Sequence, residues 1–175
     1  MGNAATGSSD VGSTDLAIEE SGPPDAPLVV LVHGSMDRMA GFAKVARRLE
    51  STHRVIRYDR RGYGRSVRHP GPFRIVDHTD DLARIIGDRR AAVVGHSLGG
   101  NMALGLAHHH PHQVAAVAVY ETPLSWMSWW PKDSSGRQIA ASDEDPSDLA
   151  ERFLRNMIGN RRWERLPETT RQARR

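Results

Sequence analysis

The 175-residue sequence contains no cysteine. This absence excludes disulfide bonds, thiolate metal sites and a cysteine nucleophile, and it agrees with a reducing compartment. Long hydrophobic runs are also missing, because the longest are short stretches such as LVVLV and VAAVAVY, whereas a membrane-spanning helix needs about 18 apolar residues. The first fifteen residues are small and polar and lack the apolar centre of a signal peptide. We therefore expect a cytoplasmic protein that does not bind a membrane.

Lysine is nearly absent: of the 24 lysine and arginine residues, only Lys44 and Lys132 are lysines. The net charge is +3, and the arginines are interleaved with acidic residues instead of forming a basic stripe. This distribution is not typical of nucleic-acid binding. The phosphate-binding pattern G-x-x-x-x-G-K-[ST] does not occur. We expect no nucleic-acid partner, no cofactor and no metal site.

The middle of the chain alternates between two hydrophobic patterns. Short apolar runs rich in β-branched residues predict buried strands, and segments with apolar residues three to four positions apart predict helices between them. This alternation predicts an α/β fold with a mainly parallel, doubly wound sheet. In such a sheet the loops after the strands meet at one edge. Here those loops lie at Gly34, Asp59, Gly95 and Glu121.

The two ends of the chain differ from this middle part. Residues 1–14 are rich in Gly, Ser and Thr and are predicted to be a disordered tail, and residues 15–121 form the α/β core. Residues 122–175 begin with an irregular segment and continue with an amphipathic helix, LAERFLRNMIG, before a basic end. We expect four apolar side chains of this helix to be buried: Phe153, Leu154, Met157 and Ile158.

Ser97 lies at the junction of a predicted strand and a predicted helix, in the stretch VVGHSLGG. Gly95 and Gly99 flank it, which matches the G-x-S-x-G pattern of a nucleophile elbow. A tight turn at this place lifts the serine oxygen above the sheet edge, and the helix N-terminus favours negative charge that develops there. The alternative is a glycine-rich turn in which the serine only caps the helix.

Two further loops belong to the same predicted edge. In VLVHGSM, Gly34 allows a turn, and the backbone N–H of Ser35, or less favourably of Met36, would form an oxyanion hole together with the N–H of Leu98. His33 is interpreted as a residue that stabilises this loop. The stretch YDRRGYGRS is interpreted as a tight structural loop held by charge pairs involving Asp59 and Arg60.

The motifs HGSM, DRRGYGRS and GHSLGG, in this order and spacing, resemble those of the α/β-hydrolase superfamily over roughly residues 15–123. The resemblance implies a mainly parallel eight-stranded sheet, of which this chain lacks the last strands and retains the start of a helical cap. It also implies a serine–acid–histidine triad and the hydrolysis of an acyl bond in a small-molecule substrate. A serine at position 97, where an aspartate would indicate an alkyl-enzyme ester, disfavours epoxide hydrolases and dehalogenases.

The usual positions of the acid and the base follow later strands of the family fold and are expected to lie outside these 175 residues. Of the nine histidines, His96 borders the pocket, but its side chain is expected to point away from it and so cannot act as the base. His69 and His78 could reach the cleft only if their loop folded over it. A histidine cluster lies at the far end of the helix that follows Ser97: His108, His109, His110 and His112.

Glu121 ends the last predicted strand at the active edge, where some superfamily members place the triad acid. It is therefore a candidate acid, and the alternative is a carboxylate that packs against the cap or pairs with an arginine. Trp126, Trp129 and Trp130 follow directly. They would line the substrate pocket together with Gly34, Met36 and His96, or they would form the core of the cap.

Two hypotheses follow from these patterns. The first is a serine hydrolase whose nucleophile is Ser97, and we expect these 175 residues alone to have low activity because they lack the catalytic histidine. The second is an inactive short homologue that binds an apolar ligand or a protein. In either case the last strand would be an uncovered sheet edge, which is prone to self-association.

Overall fold

The computed structural model describes residues 16–66, 73–134, 137–138 and 142–172. The tail predicted for residues 1–14 and the candidate base His69 lie outside the described residues. The strands are β1 (Ile18–Ser21), β2 (Leu28–Val32), β3 (Arg54–Tyr58), β4 (Ala91–His96) and β5 (Val114–Tyr120).

Six α-helices occur among the described residues, with short 3-10 turns at Met39–Phe42 and Pro111–Gln113. They are α1 (Ala43–Leu49), α2 (Ile75–Ile86), α3 (Leu98–His109), α4 (Pro146–Ile158), α5 (Asn160–Glu164) and α6 (Glu168–Gln172). No described helix is both long enough and apolar enough to cross a lipid bilayer.

The strands form one sheet in the order β1-β3-β2-β4-β5. Strands β3, β2, β4 and β5 are parallel, and β1 pairs with β3 in the antiparallel direction. The mainly parallel fold predicted from the sequence is therefore confirmed. Because parallel strands end at the same edge, the loops after β2, β3, β4 and β5 meet there, as expected.

Strand β2 is the centre of the sheet, and all five of its side chains are buried. Its alternate residues contribute to two separate apolar clusters, as the period of a strand requires. Val30 packs on one face with side chains of α2 and α3, whereas Leu31 packs on the other face with Ala46 of α1. The burial of both faces explains why the strand is apolar at every position.

Strand β5 is the other edge of the sheet and is much more exposed. It pairs only with β4 among the described strands. Val114 and Val117 pack partly against the cluster below α3, while Val119 and Tyr120 are 46% and 63% exposed. An edge strand of seven residues without charge or proline therefore stands open to solvent.

The burial predicted for the C-terminal amphipathic helix was partly wrong. Leu154 is buried, whereas Phe153 and Ile158 are only half-buried and Met157 is 61% exposed. Trp163 of α5 was not predicted to be buried, yet it is fully buried, and its Nε1–H donates a hydrogen bond to Glu151 Oε1 at 3.1 Å. Trp163 contacts α4 through Glu151 and through Arg155, whose guanidinium lies over the indole ring at 5.8 Å from its centroid.

We expect Trp163→Ala to destabilise the α4–α5 region by about 3–5 kcal/mol, because the substitution removes a fully buried indole and leaves a cavity. The matched control is Trp129→Ala, since Trp129 is 62% exposed. Its effect should stay within about 0.5 kcal/mol. Urea denaturation followed by far-ultraviolet circular dichroism measures both effects, and similar losses for the two variants would contradict the packing described here.

Candidate active site

Ser97 connects β4 to α3 and has a left-handed backbone conformation, with φ 51° and ψ −125°. Its N–H donates a hydrogen bond to Tyr120 O at 2.8 Å, which attaches the turn to the end of β5. The serine side chain makes no capping hydrogen bond to α3. The structure therefore does not support the alternative that Ser97 is only a helix cap.

Glycines allow the first turn of α3 to approach the sheet closely. A Cβ on Gly95 would lie 2.5 Å from Gly100 Cα, and a Cβ on Gly99 would lie 2.2 Å from Val32 O. Both neighbours are backbone atoms that cannot move independently. The two glycines of G-x-S-x-G are thus required by the contact between helix and strands, as the motif predicts.

Three non-glycine residues with positive φ occur among the described residues, and each follows a parallel strand at the same sheet edge. They are Met36 in the loop after β2, Ser97 after β4, and Glu121 after β5, with φ of 56°, 51° and 53°. Such conformations cost about 1–3 kcal/mol each and cluster at functional sites. Their common location marks this edge as the candidate site.

The loop after β2 lies directly beside the serine. A Cβ on Gly34 would be 2.9 Å from Ser97 Cβ and 3.2 Å from His96 O. The close contact of the two loops therefore requires a glycine at position 34, in addition to the turn that was predicted there. Ser35 and Leu98, the expected oxyanion donors, are the residues that follow Gly34 and Ser97, and so belong to the two contacting loops.

His33 is buried and stabilises this loop, which confirms the interpretation from the sequence. Its Nδ1–H donates to Gly34 O at 2.8 Å, and its Nε2 accepts a hydrogen bond from Arg60 N at 3.0 Å. Burial, and secondly the charge of Arg60, lower the pKa of His33 to about 4. His33 is therefore neutral at pH 7.

Charge pairs hold the loop after β3, as predicted, but among the described residues they join Arg61 to Asp81 and Arg65 to Glu19, and neither Asp59 nor Arg60 takes part. Asp59 is buried, and its carboxylate accepts backbone hydrogen bonds from Met39 N at 2.7 Å and Arg65 N at 2.8 Å. Arg60 instead donates to the carbonyl oxygens of His33 and Gly34. The two side chains are thus not paired with each other, because each satisfies backbone groups of a different loop.

His78 lies in α2 and is buried beside the same arginine. Its Nε2 is 3.4 Å from Arg60 Nη1, and its ring makes an edge contact with Phe73 at 5.5 Å between centroids. Burial, and secondly Arg60, lower the pKa of His78 to about 4. These contacts place His78 in the buried group below the loop of Gly34.

His96 and Glu121 are neighbours at the ends of β4 and β5. His96 Nε2 is 3.6 Å from Glu121 Oε2, and the His96 ring stacks on Tyr120 at 5.6 Å between centroids. Among the described residues, Glu121 therefore pairs with a histidine and not with an arginine. Its side chain is 56% exposed, so solvent screens this pair.

The tryptophans after Glu121 are not enclosed in a cap core. Trp126 and Trp129 are 60% and 62% exposed, and Trp130 is half-buried and lies 5.9 Å from Trp129 between ring centroids. Within the described part of the chain, no three metal-binding side chains converge.

Comparison with known proteins shows similarity to alpha/beta hydrolases in sequence and in fold. The family model for the alpha/beta hydrolase fold matches residues 27–150. A hydrolase from Pseudomonas aeruginosa PA01 superposes with a TM-score of 0.70 at 30% identity, over 91% of this chain and 61% of that chain. The enol-lactonase of Burkholderia xenovorans LB400 superposes with a TM-score of 0.66 at 28% identity, over 91% and 62% of the two chains.

Curated relatives match over shorter stretches. RutD of Caulobacter segnis, which carries a provisional name as a carbamate hydrolase, is 38% identical over 97 residues, or 52% of this chain and 36% of that protein. The 2-(acetamidomethylene)succinate hydrolase of Mesorhizobium japonicum is 32% identical over 118 residues, or 65% of this chain and 42% of that protein. The chain thus spans less than half the length of these two relatives.

The buried histidines predict acid sensitivity. His33 and His78 have pKa values of about 4 when folded and about 6.5 when unfolded, so the unfolded chain binds more protons between these values. The stabilisation is complete above pH 6.5 and is lost as the pH falls towards 4. The loss is as much as about 3 kcal/mol for His33, at about 1.4 kcal/mol per pH unit.

Urea denaturation at a series of pH values measures this loss. We expect His78→Gln, which retains a hydrogen-bond acceptor for Arg60, to have a shallower fall in stability than the unsubstituted protein. The exposed His109, at the far end of α3, provides the matched control His109→Gln, which should retain the full fall. A stability that is constant from pH 7 to pH 4.5 would contradict the burial of neutral histidines.

Proposed function

The chain belongs to the alpha/beta hydrolase family, and from this premise we propose that it acts as a serine hydrolase on acyl bonds of small-molecule substrates. The observation that carries the proposal is the left-handed conformation of Ser97 at a strand-to-helix turn, with the N-terminus of α3 beside it. A serine held there is exposed to a substrate, and the helix dipole favours negative charge near it.

In this proposal the Ser97 oxygen attacks the acyl carbonyl, and the backbone N–H groups of Ser35 and Leu98 bind the developing oxyanion. The contact between Gly34 and Ser97 supports this assignment, because it brings the two loops together. Met36 and His96 border the same edge. The hydrolases and the lactonase among the similar proteins support acyl-bond hydrolysis as the reaction class.

We propose Glu121 as the triad acid, supported by its strained position directly after β5. A general base is still required, and among the described residues no side chain hydrogen-bonds the Ser97 hydroxyl. The base is therefore expected outside the described residues. Residues 122–175 are proposed to be the cap, in which Trp126, Trp129 and Trp130 would line the pocket when a substrate is bound.

A fluorophosphonate probe tests the nucleophile, because it reacts covalently with activated serines. We expect slow labelling at Ser97 and complete loss of labelling in Ser97→Ala, while Ser51→Ala, at an exposed serine away from the site, retains it. Ester turnover should be lower than that of a complete triad by about 10³-fold or more, because none of the described side chains contacts Ser97 as a base. Labelling that persists in Ser97→Ala would refute the assignment.

A second candidate function is that of a binding module, favoured by the exposed apolar end of the sheet. Val119, Tyr120, Trp126 and Trp129 are all exposed and lie in or directly after β5. Free N–H and C=O groups on this edge can pair with another strand. We propose a second copy as the partner, with the two β5 strands antiparallel.

Size-exclusion chromatography with light scattering measures this association. We expect a concentration-dependent dimer that Ala118→Lys abolishes, because a charge on an edge strand opposes pairing. Ala40→Lys, at an exposed alanine of the 3-10 turn, is the control and should leave the dimer unchanged. A protein that stays monomeric at high concentration would exclude this interface.

A further inference from the structure

Arg60 is the most unusual charged residue of the described structure. It is 1% exposed, and among the described residues no carboxylate accepts a hydrogen bond from its guanidinium. Its neighbour Asp59 binds other backbone groups instead. Burial of an unpaired charge is costly, so a guanidinium in this environment must be satisfied by other polar groups.

The groups that satisfy Arg60 are two successive carbonyl groups of the loop after β2. Arg60 Nε donates to His33 O at 3.1 Å, and Nη2 donates to Gly34 O at 2.9 Å. The guanidinium is a rigid planar fork, so it sets the relative orientation of the two carbonyl groups. On its other side it lies over the Tyr63 ring, 4.2 Å from the centroid.

His33 reinforces the same arrangement. Its Nδ1–H provides a second donor to Gly34 O, and its Nε2 accepts the backbone N–H of Arg60. The Gly34 carbonyl oxygen therefore accepts two hydrogen bonds from buried groups. Rotation of this peptide unit would break both bonds inside the protein, where unsatisfied polar groups are costly.

Orientation of the Gly34 carbonyl also orients the next N–H. The peptide between Gly34 and Ser35 is planar and, as almost all peptides are, trans, so its N–H points opposite to its C=O. The carbonyl points to the buried Arg60 and His33, and the Ser35 N–H consequently points away from them. Ser35 N–H is the group that the proposed function uses to bind the oxyanion.

We infer that Arg60 is a positioning residue of the oxyanion hole, which acts by clamping the carbonyl groups of His33 and Gly34 so that the Ser35 N–H is preoriented. This inference rests on the proposed function for the role of Ser35. Preorientation matters because a donor that is already in place needs no rearrangement when charge develops. Lysine cannot replace Arg60, since one ammonium does not reproduce the fork.

The test compares Arg60→Met and Arg60→Lys with the matched control Arg61→Met. Arg61 is adjacent in sequence and makes a two-point ion pair with the buried Asp81 of α2, at 2.6 Å for both contacts. Its loss should destabilise the protein without contacting the loop of Gly34. Circular dichroism at several urea concentrations gives the folded fraction, to which all rates are normalised.

The first measurement is the second-order rate of fluorophosphonate labelling of Ser97. Loss of one oxyanion donor typically costs about 10²–10³-fold, so a misoriented donor should slow Arg60→Met by at least about tenfold. Arg60→Lys should also be slow, and it carries the test if Arg60→Met does not fold. Arg61→Met should label at nearly the rate of the unsubstituted protein once the folded fraction is taken into account.

The second measurement needs no reaction. The amide cross-peaks of Ser35 and Met36 in a ¹⁵N–¹H spectrum should shift or broaden in both Arg60 variants and stay in place in Arg61→Met. If the unsubstituted protein is not labelled, the hydrolase proposal fails, and these cross-peaks alone decide whether Arg60 orients the loop. Unchanged cross-peaks in the Arg60 variants, or shifted cross-peaks with an unchanged labelling rate, would overturn the inference.

Discussion

The close approach of α3 to the ends of β2 and β4 is the constraint on which the rest of the site depends. The helix can begin there only because Gly95 and Gly99 lack side chains, since a Cβ on either would collide with backbone atoms. The same approach holds Ser97 in a left-handed conformation that an ordinary residue avoids. The side chains of β2 are all buried in apolar clusters on both faces of the sheet, and this packing compensates the backbone strain at Ser97.

A second layer of interactions lies beneath the elbow and is polar. Asp59 and Arg60 are consecutive and both buried, yet they serve different loops through backbone hydrogen bonds. Asp59 connects the turn before α1 with the loop after β3, and Arg60 connects that loop with the one after β2. The two neutral histidines beside Arg60 belong to the same layer, so the predicted loss of stability in acid arises beside the groups that hold the loops of the site.

The C-terminal part of the chain is organised around Trp163 and Glu151, which accepts hydrogen bonds from Trp163 and from Arg155 at 2.7 Å. Exposed apolar side chains lie in β5 and in the segment that follows it, at Val119, Tyr120, Trp126 and Trp129. A substrate, the cap or a second copy of the chain could each bury part of this surface. The two candidate functions therefore use adjacent and partly shared regions of the molecule.

The strands, the mainly parallel direction of the sheet and the strand-to-helix turn at Ser97 were predicted correctly. These features depend on local hydrophobic period and on glycine, and both can be read from consecutive residues. Ser97, Gly34 and the loop after β3 were assigned to one edge for this reason. The burial of Met157 was predicted wrongly and that of Trp163 was missed, because amphipathic spacing does not specify which short helix covers which turn.

The pairing of charges and the orientation of the loops depend on contacts between residues that are far apart in the sequence. Asp59 and Arg60 were predicted to take part in charge pairs, but each binds backbone groups that are distant in the sequence. Asp59 accepts a hydrogen bond from Met39, 20 residues away, and Arg60 donates to Gly34 and His33, 26 and 27 residues away. The pairing of Glu121 with His96 likewise requires β4 and β5 to be neighbours in register. Hydrogen bonds between distant residues depend on strand order and burial, and no pattern of consecutive residues encodes them.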